Sequence, residues 1–154
     1  MLLLTKTIKP MTKLTRLIVA SIVGCILFFF LGWLIYGVLL MDFYAAHTTQ
    51  YEGLMREMPN LAALIIAQLT WSFLMAFIFQ RWAGVKNFGN GLLIGLLLSF
   101  LVILMGDLFF VASMKLYDAP VIIVDIVINT AMGGLIGGVI GWILGMEKKK
   151  VEAT

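Results

Sequence analysis

Asp107, Asp125, Asn129 and Gln68 each interrupt a long apolar run, and any chemistry this chain performs would begin with them. An aspartate in the middle of a membrane helix costs about 2.5–3.5 kcal/mol, somewhat less toward either interface. Such a carboxylate is retained where it binds a cation, shares a proton or joins a hydrogen-bond network. No Lys or Arg stands in the same runs to pair with it. One expectation is a proton- or cation-responsive ligand site made by Asp107, Asp125, Asn129 and Gln68, with His47 and Asp42 above them. The other, preferred, is an interhelical clasp that fixes the bundle, Asp107 to Asn129 or Asp125 to Gln68. Lys115, two turns beyond Asp107, is placed to snorkel back toward it.

Other chemistries find little support. His47 is the only histidine and Cys25 the only cysteine, so no transition-metal site is expected and no cofactor is implied. His47 is read as an interfacial ring hydrogen-bonded to a carboxylate. No nucleophile stands with a base in any recognisable pattern, so an enzyme is not expected. The glycines of the last apolar run follow no strand, which removes a nucleotide-binding reading.

The elements that must hold these side chains follow from composition. The 154 residues are 62% hydrophobic and 12% charged, with a mean hydropathy of +1.08. A soluble domain is about half apolar and about a quarter charged. So short a chain cannot enclose that much apolar surface, which therefore faces lipid. Four runs, 17–41, 61–79, 91–114 and 121–145, are each long enough to cross about 30 Å of hydrocarbon as a helix. Pro59 and Pro120 stand just before the second and fourth, where proline suits a helix start. Unbroken apolar runs exclude the alternating strands of a membrane barrel. The expected fold is all-α, a polytopic membrane four-helix bundle flanked by basic segments at 1–16 and 146–154.

Orientation follows from the flanking cations. Lys6, Lys9, Lys13, Arg16, Arg81, Lys86, Lys148, Lys149 and Lys150 fall on one side, against Arg56 and Lys115 on the other. That bias predicts both termini in the cytoplasm. Tyr36, Tyr44, Tyr51 and Tyr117 gather toward the outer side, and Trp82 and Trp142 toward the inner boundary. The net charge of +3 thus reflects topology and not a nucleic-acid-binding stripe. Ile22-Val23-Gly24-Cys25 resembles a lipoprotein cleavage box. The apolar run continues for 16 residues past Cys25, however, where a mature lipoprotein turns polar, so cleavage is not expected.

At about 1.5 Å per helical residue, Asp107, Asp125 and Gln68 lie about 10, 7–8 and 12 Å inside the outer boundary. Segment 42–60 places Tyr44, His47, Tyr51, Met55 and Met58 at three- and four-residue steps, with Glu52, Arg56 and Glu57 on other faces. It reads as an amphipathic helix at the outer interface.

In the fourth run Gly133, Gly137, Gly141 and Gly145 recur every fourth residue, widened by Gly134 and Gly138. Gly91, Gly95 and Ser99 form a shorter stripe in the third. Small residues let membrane helices approach closely, so packing of the third span on the fourth is expected in the inner half. The alternative uses of the groove are a subunit interface or a lining for a lipid or cofactor.

Gly32-Trp33 and Tyr36-Gly37 in the first span, Asp107 in the third, and Val124-Asp125 through Gly141-Trp142 in the fourth complete the pattern. On these residues, over about 15–144, the chain resembles a group of small bacterial four-span membrane proteins of uncharacterised function. The resemblance implies no activity and carries over no functional residue. The sequence thus points to a small non-enzymatic subunit or scaffold of a bacterial cytoplasmic membrane. Its expected partners are the lipid bilayer and a homo-oligomer or larger membrane complex. A small transporter, channel or sensor working through Asp107 and Asp125 is the alternative.

Overall fold

The four apolar runs each form one long helix. The computed structural model describes residues 11–49, 51–53, 56 and 58–146. The flanking lysines Lys6, Lys9, Lys148, Lys149 and Lys150 lie outside the described residues, as do Met55 and Glu57. Helix α1 spans Lys13–Leu34 and continues through a π-helical turn, Ile35–Leu39, into the short α2, Met41–His47. Helices α3, α4 and α5 cover Leu61–Arg81, Phe88–Ser113 and Ala119–Leu144. Among the described residues, four helices are thus long and apolar enough to cross a membrane: α1 with its π turn, α3, α4 and α5.

Local sequence chemistry sets most helix starts. The Thr12 hydroxyl accepts from Thr15 N at 3.1 Å, Asn60 Oδ1 from Ala63 N at 3.1 Å, and Asn87 Oδ1 from Asn90 N at 2.8 Å. Each satisfies a donor that a helix end would otherwise leave open. At α5 Pro120 occupies the first turn, where its missing N–H is not needed. These caps extend the helices past the apolar runs, so α1 begins at Lys13 and α4 at Phe88. The far end of α5 is closed by another helix: Arg16 Nη1 donates to Leu144 O at 3.0 Å. A guanidinium there also complements the negative end of the helix dipole.

The most extensive interface joins α4 to α5, followed by α1 with α3 and α1 with α5; α3 and α4 barely touch. The core lies at the basic end, where Lys13, Arg16, Arg81 and Lys86 stand. It contains Leu17, Ala20 and Phe28 of α1, Met75, Ala76 and Phe79 of α3, and Met132, Ile136, Ile140 and Ile143 of α5. Toward the opposite end the bundle loosens, and α3 residues 61–67 and α4 residues 108–113 are exposed. In lipid such surface has no reason to hide, so packing alone decides where helices separate.

Segment 42–60 departs from expectation. Among the described residues of segment 42–60 the helix is Met41–His47; Thr48 leaves it to form an antiparallel bridge with Tyr117. Thr49 N donates to Leu116 O at 2.9 Å, and Asp118 N to His47 O at 3.2 Å. A backbone donor, Thr49 N, and an acceptor, His47 O, that could have prolonged the helix tie the α2–α3 connection to the α4–α5 loop instead. Residues 51–53 then turn through Gly53 at φ 76°, a conformation that ends helical periodicity.

Candidate functional site

Asp125, in the second turn of α5, is the hub of a hydrogen-bonded cluster. Tyr36 Oη donates to Asp125 Oδ1 at 3.0 Å, and Tyr44 Oη to the same oxygen at 2.8 Å. Asn129 Nδ2 donates to Asp125 Oδ2 at 2.8 Å, with a further contact to the Asp125 carbonyl oxygen at 3.1 Å. The same Nδ2 lies 2.6 Å from Tyr36 Oη. Asn129 follows Asp125 by one helical turn, so both face the same way. The tyrosine rings pack edge to face, with centroids 5.3 Å apart.

The π turn makes this geometry available. Leu40 N donates to Ile35 O at 2.8 Å, five residues back, which widens the helix around Tyr36 and redirects the chain into α2. Tyr36 at the end of the first span and Tyr44 in α2 thereby reach one carboxylate. Burial, reinforced by the hydrogen bond to Asp125, pushes the Tyr44 hydroxyl above its ordinary range, so it remains a donor at neutral pH.

The remaining candidates fall in different places. Asp107 lies within the field of Asp125 but outside the hydrogen-bonded cluster, and its Oδ2 is buried with no hydrogen-bond partner. Lys115 is exposed and gives that oxygen no hydrogen bond. Gln68 lines a recess of about 290 Å³ with Tyr36 and Asn129, walled by Phe28, Trp71 and Met132. The recess forms where α3 and α4 stand apart. Neither expected clasp, Asp107 to Asn129 or Asp125 to Gln68, is present: Asn129 turns to its own helix neighbour, and the two tyrosines take the place of Gln68. His47 is also corrected. Its Nδ1 contacts Phe43 O at 2.9 Å instead of a carboxylate, and its ring lies over Phe43 at 4.6 Å. Asp42 is exposed in the first turn of α2. Among the described residues no group of three His, Cys, Asp or Glu is placed to hold a metal.

Sequence reasoning placed Tyr36 and Tyr44 only as interfacial aromatics. The available signal was their position at the same end of the bundle as Asp125, since a buried tyrosine hydroxyl requires a partner.

The glycines occupy the other half of the bundle. A Cβ on Gly95 would meet the Gly133 carbonyl, and one on Gly91 the Gly137 carbonyl. One on Gly141 would lie 3.0 Å from Gly91 Cα. Gly145 packs instead against the backbone of Lys86 in the α3–α4 loop. Gly133 also leaves room for Ser99, Gly134 for Leu96 and Gly138 for the Phe88 ring.

The chain matches no known family model, no curated protein and no solved structure. Four helices long and apolar enough to cross a membrane are what its described residues show.

Proposed function

We propose that this protein is a small non-enzymatic subunit or scaffold of a bacterial cytoplasmic membrane, with both termini on the cytoplasmic side. The observation that carries the reading is the clasp itself: Tyr36, Tyr44 and Asn129 converge on both Asp125 oxygens and tie α1 and α2 to α5. A carboxylate so occupied serves structure first, because a passing ion or solute would have to displace donors that already satisfy it. A homo-oligomer or a larger membrane complex is the assembly in which such a scaffold would act.

The second reading is a transporter, channel or sensor working through Asp107 and Asp125. It draws on the unpartnered Asp107 Oδ2 and the recess lined by Gln68 and Asn129. Proteoliposomes loaded with a pH-sensitive dye separate the two. Under the scaffold reading proton and cation flux equals that of empty liposomes. A flux that disappears in Asp107→Asn while folding persists would replace the scaffold with the transporter. Asp107→Asn itself is expected to change stability by less than about 1 kcal/mol, because the affected oxygen makes no hydrogen bond in the fold. Unfolding followed by SDS titration measures this.

The orientation has its own test. In a Cys25→Ser background, Glu52→Cys should react with an impermeant maleimide on intact cells, and Arg81→Cys only after permeabilisation. Both positions are exposed. The reverse pattern would invert the proposed topology.

A further inference from the structure

The recess of about 290 Å³ beside the clasp is bounded by all four spans. Phe28 and Gly32 reach it from α1, Gln68 and Trp71 from α3, Ser99 from α4 and Asn129 from α5. We propose that this recess binds the ring of an isoprenoid quinone, a neutral lipid that carries hydrogen-bond acceptors into the hydrocarbon.

The polar groups on its walls call for an occupant that forms hydrogen bonds. Ser21 and Thr70 show how a hydroxyl is satisfied inside a span: each donates at 2.8 Å to the carbonyl four residues back. Ser99 does not. It sits in the space left by Gly133, 2% exposed, and its Oγ has no hydrogen-bond partner among the described residues. A hydroxyl buried in that way carries a desolvation cost that a ligand oxygen would remove. Gln68 brings to the same recess an amide with two further N–H donors. Phe28 and Trp71 add aromatic rings from the neighbouring helices α1 and α3. A few polar groups set in an apolar, aromatic lining is the usual make-up of a small-molecule site. This set of donors and rings suits a flat ring with carbonyl oxygens at its edge.

Depth and access select a neutral lipid. Gln68, Ser99 and Asn129 each stand near the middle of their helices, so the recess lies within the hydrocarbon. None of the described side chains that line it is Lys, Arg, His, Asp or Glu, so nothing on its walls would offset a charged headgroup at that depth. Entry is lateral. Helices α3 and α4 barely touch, and the exposed Ala67 and Val102 line the recess from those two helices. An isoprenoid tail would stay in the lipid outside this gap. At about 290 Å³ the recess is at the lower bound of ligand pockets, about 300–1,000 Å³, which suits one ring better than a glyceride with two acyl chains.

The test is quenching of Trp71 fluorescence by decylubiquinone in the purified full-length chain in neutral detergent. Trp33→Phe, Trp82→Phe and Trp142→Phe, all at exposed positions, leave Trp71 as the reporter. Quenching is expected to saturate. Decylbenzene, which keeps the ring and tail but has no carbonyls, should compete at least about tenfold more weakly. Ser99→Ala and Gln68→Leu should each weaken binding by about three- to tenfold. Gly32→Leu should abolish saturation by filling the recess, and the fold should persist because a Cβ there meets nothing within 4 Å. Quenching that rises linearly and equally with and without Gly32→Leu would mean partition into the micelle and overturn the proposal. Equal competition by decylbenzene would also overturn it, leaving a groove for acyl chains. So would displacement by an equal concentration of dioctanoylglycerol, which would assign a glyceride. Should Gly32→Leu fail to fold, the decylbenzene competition decides in the parent protein.

Discussion

Gly137→Val is expected to prise α4 from α5 and leave little folded protein. A Cβ at this position would lie 2.6 Å from the Gly91 carbonyl oxygen and 2.9 Å from Gly95 Cα. Both neighbours are backbone, which cannot rotate away as a side chain can. The two helices must therefore separate along their largest shared interface. Overpacking of a well-fitted interior costs about 1–3 kcal/mol, and a β-branched side chain against backbone belongs at or above the upper end. Gly137→Ala should show a smaller loss of the same sign. Gly106→Ala is the control: nothing lies within 4 Å of a Cβ there, and the helix favours alanine by about 0.5–1 kcal/mol. SDS-titration midpoints should fall strongly for Gly137→Val and hold or rise for Gly106→Ala. Equal behaviour of the two would mean that α4 and α5 are not in backbone contact.

Asp125→Ala should have the second-largest effect, at about 2–4 kcal/mol. It removes the acceptor for Tyr36, Tyr44 and Asn129 together. Interhelical hydrogen bonds in membranes average about 0.6 kcal/mol each, and bonds to charged groups reach about 1.5–3 kcal/mol. Two half-buried hydroxyls left without their acceptor add to that loss, whereas Asn129 keeps the backbone carbonyl of residue 125. Tyr36→Phe and Tyr44→Phe each remove one donor and leave the carboxylate partly served, so each should cost less than Asp125→Ala. Their sum need not equal the total, because all three share one acceptor. Thermal unfolding with tyrosine fluorescence would show the clasp loosening. If Asp125→Ala unfolds like the wild type while Asp107→Asn is destabilised, the hub has been assigned to the wrong aspartate.

The two variants probe opposite halves of the molecule, and the halves differ in what their sequence reveals. Four spans were legible because lipid imposes a length and an apolarity that no local detail can disguise. The helix starts at Asn60 and Asn87 follow from side-chain caps one residue before each helix, and the place of Pro120 follows from its missing donor. The small-residue stripes Gly91-Gly95-Ser99 and Gly133-Gly137-Gly141 are equally visible in the chain. Their contact is a tertiary fact, since a groove does not say which backbone will fill it. Segment 42–60 misled for a related reason. Its three- and four-residue spacing suits a helix, but Thr48 and Thr49 find backbone partners at Tyr117 and Leu116, which are distant in sequence.

By itself the sequence determined the class, the number of spans, the uneven placement of charge and the set of polar side chains that lipid would force inward. Only the tertiary structure decided which of those side chains meet. Asp125 gathers Tyr36, Tyr44 and Asn129, whereas Asp107 stands apart with an oxygen unserved. Depth along a helix is additive and can be counted from residue numbers. Azimuth depends on how each helix is rotated against its neighbours, and here also on one π turn that redirects Tyr36 and the chain beyond it.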